Sequence, residues 1–195
     1  TRRNGLLRYD PRTGAVEHVF REKTQVNWIA QDAAGTIWFT TQSAVVALDP
    51  RTRRLRRFAH DPARPDASLP PGESFGICIR ADGRVLVGFA NEIALLNPTQ
   101  GQARRFPLTP TDASPRSTQR VYRFLGDSYG NVYFPSETAL FRLTAADTLQ
   151  RVELANLPEP ATGRYVTRGN RLWVAAGRRL FEYDLADLRP LPPLN

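Results

Sequence analysis

Few residues in this 195-residue sequence are of the types that perform acid–base, nucleophilic or metal chemistry. The only histidines are His18 and His60, so neither a histidine-rich metal cage nor a Ser-His-Asp triad has much support. Cys78 is the only cysteine, which excludes an internal disulfide and a cysteine-based zinc site. It lies in an apolar stretch, and we interpret it as a small core residue. We therefore predict no catalytic residue, no metal site and no cofactor in this chain.

The chain is also rich in positive charge. The net charge is +8, carried by 26 arginines and the single Lys23. Most arginines are spread along the sequence, but residues 51–57 contain five of them in seven positions. Long cationic side chains on an outermost strand discourage edge-to-edge pairing, which is one interpretation of this run. Binding of anionic lipid headgroups or a polyanionic sugar is another, whereas nucleic acid is not expected, because no reading helix or aromatic platform accompanies the charge.

The elements that must position these residues follow from an internal repeat. One turn residue per unit recurs at spacings of 48, 47 and 40 residues: Gly35, Gly83, Gly130 and Asn170. Three positions later each unit has a large residue inside an apolar segment: Trp38, Leu86, Tyr133 and Trp173. We predict that Trp38 and Trp173 pack between neighbouring units. A period of this length is the mark of a repeat architecture.

Each unit is predicted to contain strands A to D, because its apolar residues alternate or form short runs bounded by turn residues. No stretch shows helical spacing over three turns. Strand A is predicted at 27–31, 75–79, 121–125 and 165–167, and strand B at 36–40, 84–87, 131–134 and 171–174. Strand C is predicted at 44–48, 93–96, 139–143 and 179–183, and strand D at 54–58, 103–106 and 149–154.

Four antiparallel strands per 40 to 48 residues are typical of β-propeller blades. We predict an all-β fold, a β-propeller segment of four-stranded antiparallel blades. It has a partial N-terminal blade at 5–20 and blades at about 26–60, 74–107, 119–154 and 164–194. Strand D of the last blade is expected to be edge-like or missing, because prolines follow Asp184. Four and a half blades do not obviously close a ring, so we expect a segment of a longer one.

The turns between strands C and D give a local prediction. Two of them end on a glycine, Gly14 and Gly101, after an Asp-Pro or Asn-Pro start. The matching turn that begins at Asp49 has Arg53 in the glycine position. Glycine is favoured there because the backbone must adopt a positive φ. The sequence therefore predicts a positive φ at Arg53.

The first complete unit resembles the two-component regulator propeller repeat. It contains Asp32-Ala-Ala-Gly35-Thr-Ile-Trp38, then Ala47-Leu-Asp-Pro50, then a linker that begins His60-Asp-Pro and ends Ser68-Leu-Pro. The family pattern has a D-x-x-G-x-[IL]-W-x-G-T core, a Y-D-P-x-T-G turn and an H-D-P-x-x-P-x-S-L linker. The linker is the specific part, because the core alone occurs in several propeller families.

This resemblance implies the periplasmic sensor region of a bacterial transmembrane signalling protein, typically a hybrid histidine kinase or a diguanylate cyclase. In such proteins the propeller precedes an immunoglobulin-like domain, a membrane helix and an output module, which would be this chain's partners within one polypeptide. The resemblance therefore implies a ligand-sensing, extracytoplasmic module that is not itself an enzyme. Kinase or cyclase activity would belong to segments outside this chain.

Candidate ligand-binding residues follow from propeller topology, which gathers the D-to-A linkers and B-to-C loops on one face around the channel. The candidates near the starts of strand A are Asn27, Glu73, Gln119 and Arg164. The candidates in the B-to-C loops are Gln42, Asn91, Glu137 and Arg178. Amide, carboxylate and guanidinium groups together suit a polar small molecule or a glycan.

The sequence also leaves room for a lyase, a protein-interaction scaffold or a homodimer. The core pattern resembles the repeat of streptogramin-lyase propellers, which use a histidine base and a bound metal ion. His60 with Glu73 or Asp66 would be such a pair, provided that His60 faces the channel within reach of a carboxylate. Otherwise His60 fixes the linker turn.

Overall fold

The computed structural model describes residues 5–21, 24–108, 119–136, 139–157 and 164–192. These residues contain seventeen β-strands and no helix. The strands form one two-stranded, three four-stranded and one three-stranded sheet, all antiparallel. The fold is the predicted all-β propeller segment, with four blades after a partial N-terminal blade.

The strands follow one another in chain order. The N-terminal hairpin consists of β1 (Leu6–Tyr9) and β2 (Val16–Phe20). Blade 1 consists of β3 (Ile29–Gln31), β4 (Ile37–Thr40), β5 (Ala44–Leu48) and β6 (Leu55–Ala59). Blade 2 consists of β7 (Gly76–Ile79), β8 (Val85–Gly88), β9 (Glu92–Asn97) and β10 (Gln102–Pro107). Blade 3 consists of β11 (Leu125–Gly126), β12 (Val132–Pro135), β13 (Leu140–Leu143) and β14 (Leu149–Val152). Blade 4 consists of β15 (Arg164–Arg168), β16 (Arg171–Ala176) and β17 (Arg179–Asp184).

The first strand of each blade lies on the axis side. Strands pair in sequence order within every blade, so β3, β7, β11 and β15 are edge strands. These first strands also approach one another between neighbouring blades, β3 against β7 and β11 against β15. The blades therefore converge at their first strands, as they do around the axis of a propeller.

The apolar core lies between successive sheets rather than within one of them. Alternate side chains of a strand point to opposite faces, and both faces are covered here. In β5, Val45 and Ala47 join a cluster with residues of blade 2. Val46 and Leu48 of the same strand join a cluster with Phe20 of the N-terminal hairpin. Two more clusters join blade 2 to blade 3 and blade 3 to blade 4 in the same way.

The equivalent residues of strand B show the effect of this stacking. Trp38, Leu86 and Tyr133 are 4%, 0% and 0% exposed, because the next blade covers each of them. Trp173 is only half-buried, so the prediction that it packs between blades is wrong. Its face of blade 4 has no sheet beyond it among the described residues.

The rest of that outward face of blade 4 mixes apolar and charged side chains, since Glu182 pairs with Trp173 across the sheet and forms an ion pair with Arg171. Val166 pairs with Trp173 across the sheet and is 52% exposed, and Leu180 is 54% exposed. By register, Leu180 corresponds to Val45 of blade 1 and Ile93 of blade 2, which are both fully buried. Trp173, Val166 and Leu180 therefore form an exposed apolar group on the face that the next blade covers in blades 1 to 3.

One strand prediction in the second half of the chain needs correction. Strand A of blade 3 was expected at 121–125, but the strand is Leu125–Gly126. The preceding residues pair instead with the B-to-C loop of blade 2, where Arg120 forms a bridge with Ala90. In blade 4 the positive φ of the first turn is at Gly169, one position before Asn170, which aligns with the turn glycines of the earlier blades. Within the described residues, strand D of blade 4 is reduced to a single bridge between Tyr183 and Pro190, as expected from the prolines.

The turn predictions agree with the backbone. Arg53 has a φ of 59°, close to the 73° of Gly14 and the 69° of Gly101, so the predicted positive φ is confirmed. The Asp32 carboxylate receives hydrogen bonds from the Thr36 amide and from Trp38 Nε1, both at 2.9 Å. This explains the spacing of Asp and Trp in the repeat, since the first turn of the blade holds the indole in place.

A charged clasp joins blade 2 to blade 3 on the side of the first turns. The Arg80 side chain is buried and its Nη1 donates to Asp147 Oδ1 at 2.7 Å, while Nη2 donates to the Ala145 carbonyl at 3.1 Å. Arg84 also binds Asp147, and it binds Asp82 on its own turn. Burial opposes the ionisation of Asp147, but hydrogen bonds and charges from Arg84 and Arg80 outweigh it. The pKa of this carboxyl therefore lies below its ordinary value.

Substitution of Trp38 and of Trp173 should have different effects, because the next blade covers Trp38 and no described sheet covers Trp173. Trp38→Ala should lower the free energy of unfolding by about 3 to 5 kcal/mol, because it leaves a cavity between blades 1 and 2. Trp173→Ala should cost about 1 kcal/mol or less, because that side chain is already half in water. Urea denaturation of both variants provides the comparison, and equal losses would contradict the stacking described here.

Replacement of Asp147 should weaken the clasp in a pH-dependent way. Asp147→Asn keeps a side chain that tolerates its φ of 60° but removes the charge, and should cost about 2 kcal/mol at pH 7. A carboxyl whose pKa falls on folding stabilises the protein above its unfolded pKa, and this contribution disappears as the pH falls. The difference in urea midpoint between parent and variant should therefore shrink from pH 7 to pH 3. Asp187→Asn, in an exposed pair, serves as the control, and a pH-independent difference for Asp147→Asn would contradict the assignment.

Candidate functional site

Asn27 links the starts of blades 1 and 2 on the axis side. Its Nδ2 donates to Glu73 Oε1 at 3.1 Å and to the Ser74 carbonyl at 2.9 Å. Ser74 is buried and donates in turn to the Thr41 carbonyl at 3.1 Å, which fixes this part of the linker onto the B-to-C turn of blade 1. Asn27 Oδ1 is buried without a hydrogen-bond partner among the described residues. The amide is thus oriented by its nitrogen and keeps an acceptor unused.

The chain enters blade 3 by crossing directly over two glycines of blade 2. Gly76 and Gly88 pair with each other across β7 and β8. A Cβ built at Gly88 would lie 2.2 Å from the Val121 carbonyl oxygen, and one at Gly76 would lie 2.8 Å from that of Tyr122. Only glycine permits this approach of backbone to backbone. The two glycines therefore determine where Val121 and Tyr122 lie.

Asn91 and Gln119 form a second polar pair between blades 2 and 3. Asn91 has a positive φ of 62°, and its main-chain N–H donates to the main-chain carbonyl of Gln119 at 2.8 Å. The Asn91 side-chain Oδ1 accepts a hydrogen bond from the main-chain N–H of Gln119 at 2.7 Å. The Gln119 side chain is 0% exposed, and both of its amide atoms lack a partner among the described residues. An unpartnered buried amide is costly, by about 1 to 3 kcal/mol, so this pair is an unusual feature of the axis side.

Two rings and a guanidinium continue the surface from Asn27 and Glu73. The ring centroids of Phe75 and Tyr122 are 5.3 Å apart, and the Arg120 guanidinium lies 5.4 Å from the Phe75 centroid. The Tyr122 side chain is 45% exposed. We call the connected group the inner belt, and its members are Asn27, Glu73, Phe75, Arg120 and Tyr122.

Sequence reasoning missed three members of the inner belt. Phe75 was predicted as an ordinary strand A residue, as was Tyr122, and Arg120 was not considered. A signal for the rings was present, because Asn27, Phe75 and Tyr122 are equivalent positions at the repeat spacings of 48 and 47. The equivalence places one side chain from each of three successive blades at the same height on the axis side.

The eight predicted ligand-binding residues have different positions in the structure. Two pairs come together, Asn27 with Glu73 and Asn91 with Gln119, but Gln119 is buried rather than presented on a loop surface. The remaining candidates within the described part are exposed, and no hydrogen bond found there joins them to either pair: Gln42, Arg164 and Arg178. Glu137 lies outside the described residues.

His60 lies in the linker that follows β6, beside the outermost strand of blade 1. Its Nδ1 is 3.0 Å from the carbonyl oxygen of Leu69, and the neighbouring Asp61 amide donates to Ser68 Oγ at 3.0 Å. These contacts close the loop between His60 and the buried Leu69. His60 therefore fixes the linker turn, and it does not have the channel-facing position that a catalytic base would require.

The chemistry available at the inner belt is that of reversible binding. An amide, a carboxylate and a guanidinium offer donors and acceptors, and two aromatic rings offer apolar faces. No group of three or more metal-ligating side chains occurs in the described chain. Cys78 is half-buried against the cluster between blades 2 and 3, and burial raises the pKa of its thiol, which disfavours the reactive thiolate.

Comparison with known proteins identifies the fold. No family model and no curated protein matches the sequence. Among solved structures, the extracellular domain assigned to a hybrid two-component system from B. thetaiotaomicron is 17% identical, with a TM-score of 0.64. This match covers 96% of the chain and 25% of that protein.

Two other solved structures share the same architecture. PorZ, a surface component of the type-IX secretion system of Porphyromonas gingivalis, is 18% identical with a TM-score of 0.63, over 100% of this chain and 31% of PorZ. Virginiamycin B lyase from Staphylococcus aureus is 14% identical with a TM-score of 0.60, over 88% of this chain and 62% of the lyase. The chain thus spans less than two thirds of each of these proteins.

These likenesses establish a β-propeller fold that the chain shares with sensor domains as well as a lyase. They agree with the resemblance to sensor propellers at the level of the fold. Among the residues that the structure describes, no helix is long and apolar enough to span a bilayer.

Replacing Gly88 by alanine should displace the segment that carries Tyr122, a member of the inner belt. Gly88→Ala places a methyl group against the Val121 carbonyl, so this segment must shift, at a cost of about 1 to 3 kcal/mol. Gly126→Ala is the matched control, because its Cβ would meet nothing within 4 Å. Thermal unfolding and intrinsic fluorescence are measured for both variants. Equal stability would contradict the close approach of the Val121 carbonyl to Gly88.

Proposed function

We propose that this chain is the ligand-binding module of an extracytoplasmic sensor and that the ligand binds at the inner belt. The observation that carries the proposal is the continuity of the belt across the starts of three blades, from Asn27 through Phe75 to Tyr122. Rigid blades hold these residues, so a binding site there is formed before the ligand arrives. Such preorganisation favours affinity because few side chains must be ordered on binding.

The side chains of the belt favour a polar small molecule or a glycan. Glu73 accepts hydrogen bonds and Arg120 donates them, as sugar hydroxyls and small carboxylates require. The half-exposed Tyr122 ring offers a face for the apolar side of a sugar ring. The Asn27 Nδ2 group orients the Glu73 carboxylate beside it.

The assignment as a sensor rather than an enzyme rests on the position of His60. His60 is the histidine that a lyase mechanism would need in the channel, and its ring is engaged with Leu69 in the outer linker. The fold is also that of the extracellular domain of a hybrid two-component system. Both observations support a non-catalytic, periplasmic module that passes its signal to membrane and output segments of the same protein.

The open face of blade 4 supports the further proposal that the chain is a segment of a longer ring. Leu180 lies where the corresponding residues of blades 1 and 2, Val45 and Ile93, are buried by the next sheet. Another blade of the same polypeptide would bury Leu180 in the same way. The immunoglobulin-like domain and the membrane helix implied by the resemblance would then follow the complete ring.

Binding by the inner belt can be tested with the purified chain. A panel of mono- and oligosaccharides and small carboxylates is screened by thermal shift, and hits are titrated calorimetrically. Tyr122→Ala and Asn27→Ala should each weaken binding about tenfold, corresponding to the loss of one well-placed contact. The matched control is Tyr129→Ala, which removes an equally exposed tyrosine from the opposite side of blade 3.

The two belt variants and the Tyr129→Ala control distinguish the possible results. Loss of affinity confined to Tyr122→Ala and Asn27→Ala supports the site. A ligand that binds the parent and both belt variants equally would contradict the site, and turnover of a hit would contradict the non-enzymatic assignment.

A further inference from the structure

The outer rim of blades 1 and 2 contains a cavity that the proposed sensing site does not use. It has a volume of about 380 Å³ and opens between β6, the following linker and blade 2. The polar residues that line it are Arg56, Arg57, Asp61, Arg64 and Ser68. Arg56 and Arg64 border the cavity, whereas the Arg57 guanidinium lies over Phe20 on the other face of blade 1, and the cavity is on the far side of the blades from the axis.

The charge around this cavity is strongly positive. Residues 51–64 contain six arginines and one aspartate, a net charge of +5 out of +8 for the whole chain. Neither β6 nor β10, the outer strands of the two blades, contains an acidic residue. Asp49 and Asp66 flank this run, while two further nearby carboxylates are already engaged, Glu17 by Arg8 and Arg53, and Asp61 by Arg64. The rim therefore carries an excess of positive charge that its own acids do not balance.

Guanidinium groups of both outer strands, β6 and β10, are held in place by aromatic rings. The Arg56 guanidinium lies 5.1 Å from the Phe58 centroid, and that of Arg104 lies 4.8 Å from the Phe106 centroid. Arg56 also donates to the Pro98 carbonyl of blade 2. Stacking engages the face of a guanidinium, whereas anions are bound through its in-plane N–H groups. An arginine fixed in this way loses little freedom when it binds an anion.

We propose that this rim, separately from the inner belt, binds a sulfated glycan chain. Sulfate esters match the forked N–H donors of arginine and keep their charge at every physiological pH. The adjacent Arg56 and Arg57 point to opposite faces of β6, so guanidinium groups lie on both sides of blade 1 and a linear polyanion that crosses the rim can contact both. The buried Phe58 and Phe106 offer no stacking platform for bases, which disfavours a nucleic acid.

Heparin, a sulfated glycan, is the probe for the test. The triple variant Arg54→Gln, Arg56→Gln, Arg57→Gln removes three charges from the rim and keeps most of each aliphatic stem. The control variant Arg151→Gln, Arg168→Gln, Arg189→Gln removes three charges from exposed positions of blades 3 and 4. Circular dichroism and the thermal midpoint establish that both variants are folded.

The proposal predicts different losses in the two variants. The rim variant should bind heparin at least about tenfold more weakly at 0.15 M salt, and the slope of log K against log salt should fall by about two to three. The control variant should change affinity by less than about threefold. Equal losses in both variants would overturn the proposal, since net charge alone would then explain binding. Binding of duplex DNA or of anionic phospholipid vesicles as tight as that of heparin, and equally sensitive to the rim variant, would overturn the sulfated-glycan assignment.

Discussion

The whole structure depends on the packing of one sheet face against the next. No blade has a core of its own, since the apolar side chains of Val45 and Val46 belong to different clusters although they are neighbours in β5. A sheet so thin becomes stable only when both faces are covered. This constraint explains why strands B and C are almost entirely apolar. It also explains why Leu180 of blade 4 is exposed, since no sheet among the described residues covers its face.

The same packing positions the functional surfaces. Because the blades converge at their first strands, the chain that starts each blade must cross the preceding one at close range. Gly76 and Gly88 make this crossing possible for Val121 and Tyr122, and Asn27 with Ser74 fastens the corresponding crossing one blade earlier. The inner belt follows from these crossings. The outer strands diverge, which leaves room for the arginine-bordered cavity on the rim.

Much of the fold could be predicted from the sequence, because the repeat shows itself in local chemistry. The turn glycines, the Asp32 and Trp38 spacing and the positive φ of Arg53 are all dictated within a few residues. Contacts between blades could not be predicted, because they depend on which residues meet after folding. Phe75 and Arg120 are 45 positions apart, and nothing local indicates that they stack. Trp173 was misjudged for the same reason, since its burial depends on a neighbouring sheet and not on its own strand.

The central claim is that each sheet packs on both faces, and methyl NOE spectroscopy tests it most directly. In a chain with labelled Ile, Leu and Val methyl groups, Ile93 and Leu95 should give cross-peaks to Val132 and Leu143 of blade 3. Val85 and Val87 of the same sheet should instead give cross-peaks to Val45 and Leu69 of blade 1. A spectrum in which both sets share one group of neighbours would describe a sandwich and contradict the account.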